Sequence, residues 1–443
     1  MATLSERQAK KITDTLLGAA MVPELLVSVR DRSGGHVRFA RNQPTTEGDV
    51  ETVEISVTAS IGGRTATAVG NRSDKASLEA LVAEAEELAA LSPVDPEHMA
   101  PVGKGAYLQV EAHDKATAKL GAQDRAAQVE RAVAVANAAD LEIAGFMSHR
   151  EQSVAVATSA GAFAFASDTQ ASLTTTCRTH DGLGSGWVGV ESHRGSQIDA
   201  ERSAQLAAEK AEISHDPKAL DPGKYVVILE AQAVADLLSF LVNALDARAA
   251  DEGRSWFSHP DGGSRVGEQL FDTSITLRSD PADKQNPARP FTDAGEAHKI
   301  VRFIREGVVE KLTCSRFWAD KTGAPAIPRP SSVLLDGRDI DLLELVGGVD
   351  KAVMVTRFWY NRVLDPRTIL ATGLTRDGTF LVEQGKITTA VKNFRYNDSP
   401  VTMLNNVLAL GRPQRVVTRG GQVMVVPPMV VRDFNFSSLS DAV

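Results

Sequence analysis

Residues 356–397 read TRFWYNRVLDPRTILATGLTRDGTFLVEQGKITTAVKNFRYN. β-branched and aromatic residues alternate here with turn formers, the pattern of paired strands rather than of a helix. Leu364-Asp365-Pro366 and Arg376-Asp377-Gly378 are expected as turns, and Thr379–Val382 is expected to pair with Lys386–Val391 across Gln384-Gly385. The run is also dense in Arg357, Asn361, Arg362, Arg376, Asn393, Arg395 and Asn397. Their donors suit a peptide backbone or a carboxylate, and equally suit locking hairpins together at a subunit contact.

Working outward, closing strands are expected at Arg415–Val426 and Met429–Phe434, and upstream strands at Ser274–Leu277, Val301–Ile304, Ser332–Leu335 and Ala352–Thr356. Asp216-Pro217 and Asp221-Pro222-Gly223 break both hydrophobic periods and mark the main boundary. After it come a strand at Tyr225–Leu229 and one prominent helix at about Ala231–Ala247.

Before the boundary the signals are mixed. Helices are expected near Ser5–Ala19, at Ala76–Leu91 with Ser73 or Asp74 as N-cap, at Gln123–Ala139 on a face of Ala126, Val129, Val133 and Ala136, and from an Asp199 cap to Glu212. Strands are expected at Leu25–Arg30, Val53–Ser60, Ser153–Thr158, Ala162–Ala166 and Ala171–Arg178. The fold class is therefore α+β. Three regions are expected: an N-terminal α/β subdomain over 1–105, a central α/β subdomain over 106–222, and a β-rich C-terminal domain over 223–443.

With 443 residues, 43% of them hydrophobic, the chain can bury substantial cores. A net charge of −9 argues against nucleic acid, whose binding needs a basic footprint. No stretch has the length and apolarity of a membrane span, and Met1–Ala20 lacks the pattern of a secretory signal, so a cytoplasmic location is expected. Cys177 and Cys314 are too far apart for a local metal motif and are expected as reduced, structural thiols.

Three further segments carry distinctive wording: GNRSDKASLEALVAEAEELAALSPVDPE at Gly70–Glu97, CRTHDGLGSGW at Cys177–Trp187, and FTDAGEAHKIVRFIREGVVEKL at Phe291–Leu312. Together with the opening run, and in the same order, they resemble the TldD/PmbA family. The resemblance implies a heterodimeric zinc peptidase acting on unfolded peptides in an enclosed chamber. Its TldD-type subunit carries His-Glu-x-x-x-His on a helix plus a distant Cys, and its TldE-type subunit carries no metal.

The resemblance aligns Leu229-Glu230-Ala231-Gln232-Ala233-Val234 with that zinc motif. Leu229 and Val234 replace the two histidines, and neither side chain can donate to zinc. The cysteine segment aligns near Arg415–Gln422, which contains no Cys. Glu230 keeps the position of the catalytic glutamate, but without a metal-bound water it reads better as a helix-start residue favoured by the macrodipole. The expectation is no metal and no cofactor in this chain, zinc in a TldD-type partner, and no catalytic residue here. A homodimeric peptide-binding or scaffold protein of the same fold is the alternative.

Other chemistry is thin. No two histidines lie within three to five residues of each other, and Glu296 with His298 is a carboxylate–imidazole pair at i, i+2, a spacing usual for a solvated surface feature. Cys177 near His180 offers at most a weak nucleophile, and Gly182–Gly186 reads as a glycine-rich bend in a sheet rather than a phosphate loop.

Overall fold

The computed structural model describes residues 3–417 and 423–440. Its N-terminal part contains α1 (Glu6–Ala19), β1 (Glu24–Ala40), β2 (Gln43–Ile61), β3 (Arg64–Gly70), α2 (Lys75–Leu91), α3 (Lys115–Ala118), α4 (Ala122–Ala138), β4 (Glu142–Thr158), β5 (Phe163–Arg178), β6 (Ser185–Ser192) and α5 (Ala200–Ile213). The strands form one antiparallel sheet in the order β3-β2-β1-β4-β5-β6. It takes β1–β3 from the first expected region and β4–β6 from the second.

The long strands carry two separate cores along their length. Leu25, Val27 and Val29 of β1 pack with α1 and α2, whereas Val37 and Phe39 pack with α4 and α5. Ser5 caps α1, Asp74 caps α2 and Asp199 caps α5, each accepting a backbone N–H three residues on. The buried row of α4 is Arg125, Val129, Ala132 and Ala136, so Arg125 stands where Ala126 was expected and Ala132 where Val133 was. Its guanidinium is tolerated inside because Asp49 accepts Nη2 at 2.6 Å. The strands expected at Ala162–Ala166 and Ala171–Arg178 are, from Phe163 onward, one uninterrupted strand, β5.

The C-terminal part contains β7 (Gly223–Leu229), α6 (Ala231–Ala244), α7 (Ala247–Asp251), β8 (Leu277–Ser279), β9 (Val301–Arg305), β10 (Val308–Val309), α8 (Arg316–Thr322), β11 (Ser332–Leu335), α9 (Leu342–Gly347), β12 (Lys351–Asp365), β13 (Leu370–Glu383), β14 (Lys386–Ala390), β15 (Phe394–Asp398), α10 (Pro400–Asn405), β16 (Val407–Leu410), β17 (Gln414–Arg415), β18 (Val423–Val426) and β19 (Met429–Leu439). One sheet runs β10-β9-β8-β11-β18-β17. A second runs β12-β7-β19-β15-β13-β14, and because β12 also pairs with β13 its hydrogen-bonded path closes on itself. Phe358, Phe394, Tyr396, Phe434 and Phe436 pack ring against ring within the large core cluster that also holds α6. The architecture is α+β, strand-rich in its C-terminal part.

Three local expectations are corrected. The helix from Ala231 stops at Ala244, because Asp246 turns out to cap a new short helix, accepting Ala249 N–H. The strand expected at Ser274–Leu277 lies at Leu277–Ser279. Arg376-Asp377-Gly378 is not a turn: β13 continues through it by a bulge, with Asp377 at φ 53° and Gly378 at φ 132°. A Cβ on Gly378 would lie 2.4 Å from Thr356 Oγ1, so the bulge needs glycine there. The hairpin across Gln384-Gly385 is present, whereas the closing segment forms β17 and β18 separately, with 418–422 outside the described residues.

The glycine-rich bend has a packing reason. Cβ atoms on Gly184 and Gly186 would lie 2.4 and 2.2 Å from the carbonyls of Ala211 and Ala207, so their absence lets α5 press onto the start of β6. Gly186→Ala should push α5 away and cost about 1–3 kcal/mol of stability, read as a lowered urea midpoint.

Candidate functional site

β7 ends at Leu229 and α6 begins at Ala231, so Glu230 is the N-cap residue. Leu229 and Val234 are fully buried in the apolar cluster around α6. Glu230 makes no side-chain cap bond. Its carboxylate instead accepts Lys210 Nζ at 2.7 and 2.8 Å and Thr356 Oγ1 at 2.9 Å. Lys210 lies on α5, so this ion pair joins the N-terminal part to the C-terminal part, with both side chains less than a fifth exposed.

A second polar group crosses the same seam. Asp377, on the bulge of β13, accepts Arg357 Nε at 3.0 Å and a further bond from Arg357 Nη2, and accepts Ser185 Oγ of β6 at 2.6 Å. Arg376 Nε and Arg178 Nη2 approach it at 3.6 and 3.8 Å. Burial alone would raise the Asp377 carboxyl, but the Arg357 charge, the Ser185 hydroxyl and Arg376 outweigh it and hold it below the ordinary value. The Arg357 guanidinium also stacks on Trp187 at 4.4 Å and Trp359 at 5.0 Å.

The seven polar residues of the opening run do not converge. Arg357 and Arg376 face Asp377, and Asn393 Oδ1 accepts the hydroxyls of Thr375 and Thr379 at 3.1 and 3.0 Å. Asn361 Oδ1 accepts Tyr396 Oη at 2.9 Å. The Asn397 carbonyl accepts Asn435 Nδ2 at 3.0 Å, while Arg362 and Arg395 are exposed. Asn361 alone among them lines the cleft of about 630 Å³ along α6, with Gln232, Asp236, Tyr360 and Val417. Inside it, Gln232 Nε2 donates to Asp236 at 3.1 Å, and Asp236 accepts Phe358 N–H at 2.9 Å. Lys210, Asp377 and Ser185 were missed in the sequence. Asp377 was in view but read as a turn residue, and a lysine in an alanine-rich helix carries no local sign of its partner.

Cys177 is buried and its thiol is pushed up to about 12 by burial, with Glu212 adding to the effect. His180 lies exposed beside Asp140 and Glu142, and no hydrogen bond joins it to Cys177. Among the described residues no three His, Cys, Asp or Glu side chains gather as metal ligands, although part of the Arg415–Gln422 segment lies outside them. No helix among these residues is long and apolar enough to cross a membrane.

His298 is buried and Glu296 is half-buried, and no hydrogen bond or ion pair joins them. Burial raises the Glu296 carboxyl, and burial with the nearby Arg289 charge pushes His298 down to about 4.

Residues 222–438 match the PmbA/TldA metallopeptidase C-terminal domain, and residues 27–89 match PmbA/TldA metallopeptidase domain 1. Solved structures share the whole architecture. A candidate modulator of a DNA gyrase from Thermotoga maritima aligns with a TM-score of 0.84 at 17% identity, over 97% of this chain and 100% of its own. TldE from Thermococcus kodakarensis aligns with a TM-score of 0.84 at 15% identity, over 97% and 99%. A candidate modulator of DNA gyrase from Bacteroides thetaiotaomicron aligns at 0.83 and 20%, over 98% and 100%. No curated protein matches the sequence. The fold is thus that of the metallopeptidase-like proteins with this two-part architecture. The chain belongs to the PmbA/TldD family.

Two stability measurements test the site as described. Asp377→Ala leaves the Arg357 charge buried without its carboxylate and should cost about 3–5 kcal/mol, whereas Arg362→Ala and Arg395→Ala should stay within about 0.5 kcal/mol, all by urea denaturation. For His298 the unfolded ring takes a proton near the ordinary 6.5 and the folded ring only near 4. The unfolded state therefore binds more protons between these values, so this contribution is complete above about pH 6.5 and is lost as pH falls toward 4. Unfolding free energy should drop by about 2 kcal/mol between pH 7 and pH 5, and His298→Gln should flatten that slope.

Proposed function

We propose that this chain is the zinc-less, TldE-type subunit of a cytoplasmic heterodimeric metallopeptidase that cleaves unfolded peptides in an enclosed chamber, with zinc and catalysis on a TldD-type partner. The observation that carries the reading is the state of the aligned motif. Leu229 and Val234, at the positions aligned with the family's histidines, are fully buried in apolar core and offer no lone pair to a metal. Glu230, at the position aligned with the catalytic glutamate, is engaged by Lys210 and Thr356. A general base for peptide hydrolysis needs a metal-polarised water within reach, and this carboxylate is committed to an ammonium instead.

In such a pair this chain contributes chamber wall, interface and substrate path. The cleft along α6 is lined by Asn361 and by Tyr360, whose exposed ring is available to a partner or a peptide. Purified alone, the chain should hold about 0.1 equivalents of zinc or less by plasma mass spectrometry and cleave no unfolded peptide. Co-expressed with a chain carrying His-Glu-x-x-x-His and a C-terminal Cys, it should co-purify as a stable heterodimer with peptidase activity. Stoichiometric zinc in the isolated chain, activity without a partner, or homodimers alone after co-expression would overturn the reading, the last in favour of a homodimeric scaffold.

A further inference from the structure

β5 is covered on its outer side along only part of its length. β6 pairs with Ala171–Arg178, while the stretch from Phe163 to Asp168 pairs with β4 alone. The register identifies which backbone groups are left over. Thr158 N–H donates to the Ala162 carbonyl at 3.1 Å, so even-numbered residues from Ala162 onward turn their backbone groups toward β4. Phe163, Phe165 and Ser167 turn theirs outward. Thr169, next in that set, confirms the parity by donating its N–H to the Ala112 carbonyl at 3.0 Å.

The segment 103–112 runs alongside this bare edge without closing on it. Gly103 bridges Gly161 at one end and Ala112 meets Thr169 at the other, and between these ties no backbone hydrogen bond among the described residues joins the segment to Phe163–Asp168. A groove of about 690 Å³ opens between the two, walled also by Ala288, Arg289 and Pro290. His193 lines it on the Thr169 side, where its carbonyl accepts Thr169 Oγ1. His193 is 5% exposed, and neither of its ring nitrogens has a hydrogen-bond partner. A buried imidazole without partners is costly, so this end of the groove is left incompletely satisfied.

We infer that this groove is a peptide-binding site, in which an extended segment of about six residues adds to the Phe163–Asp168 edge as a strand in line with β6. The occupant follows from the wall. Outward N–H and C=O groups alternate along the edge, a pattern that another extended backbone matches and a compact anion does not. Glu6, Glu111, Asp114 and Asp168 line the groove and disfavour a nucleic-acid strand. Recognition through main-chain bonds is tolerant of sequence, as handling of unfolded chains requires. The inference deepens the peptide-handling part of the proposed function by naming a contact on this chain. Its test uses the chain without a partner, so the heterodimer reading and this site stand or fall separately.

The test uses a fluorescein-labelled hexapeptide of Thr, Val and Ser, titrated against the full chain by fluorescence anisotropy. Binding should saturate, weaken at least tenfold when the peptide amides are N-methylated, and weaken at least tenfold in Ser167→Pro. Proline is tolerated at that position because the Ser167 N–H points away from β4, so the substitution removes an outward donor without breaking the ladder. Hydrogen exchange read by mass spectrometry should slow in the segment holding Phe163, Phe165 and Ser167 when the peptide is added. No binding, binding indifferent to Ser167→Pro, protection confined to the cleft along α6, or amides in this segment already slow in the free chain would each overturn the site.

Discussion

The arrangement of the two parts rests on a buried carboxylate. Asp377 is 1% exposed, and a charge in that position is tolerable only while Arg357 and the Ser185 hydroxyl stay in contact with it. Arg357 belongs to β12 and Ser185 to β6, so one ionised group ties the closed β path of the C-terminal part to the edge of the N-terminal sheet. The bulge that aims Asp377 at this seam depends in turn on a glycine. The demand thus passes from the φ of Gly378, to the direction of one side chain, to the orientation of two large substructures.

The same seam determines what Glu230 can do. Gly184 and Gly186 let α5 lie close on β6, and α5 carries Lys210 to the start of α6. The Glu230 carboxylate is drawn off the helix terminus toward that ammonium. An ion pair with both members less than a fifth exposed is costly to break from either side, because the remaining charge would stay largely desolvated. Glu230 therefore has a structural occupation as the anion of this seam.

Much of this fold was legible in the sequence, and the boundary of legibility is physical. α2 and α5 announce themselves because a cap and an apolar period coincide, and the Gln384-Gly385 hairpin because its turn chemistry is specific. β2 was legible only over its apolar half, since most of its outer half, from Gln43, is exposed and shows no alternation to read. Arg125 was invisible as a core residue because a buried guanidinium is identified by its partner, Asp49, which lies 76 residues away. Asp377 failed for a related reason: Arg-Asp-Gly is ordinary turn chemistry, and only the pairing of β13 with β12 on both sides of it turns the same conformation into a bulge. At the site, the family resemblance singled out Leu229 and Val234 as positions without an imidazole, whereas nothing in the sequence singled out Lys210 or the bare edge of β5. A salt bridge across a domain seam and a missing strand pairing are relations between distant residues, and no local pattern encodes either.

On the proposed reading, the loss of metal chemistry and the gain of structure are two sides of one substitution set. A zinc site requires that the start of α6 stay polar and open to water, with its glutamate free to meet a bound water. Filling the two aligned positions with Leu229 and Val234 extends the apolar core up to the helix start, and it leaves the adjacent carboxylate without a cation. A half-buried carboxylate in that position must find one, and Lys210, delivered by a helix that glycines allow to come close, is the cation this chain supplies. On that reading the three side chains act together: Leu229 and Val234 close the core at the helix start, and Lys210 neutralises the carboxylate beside it.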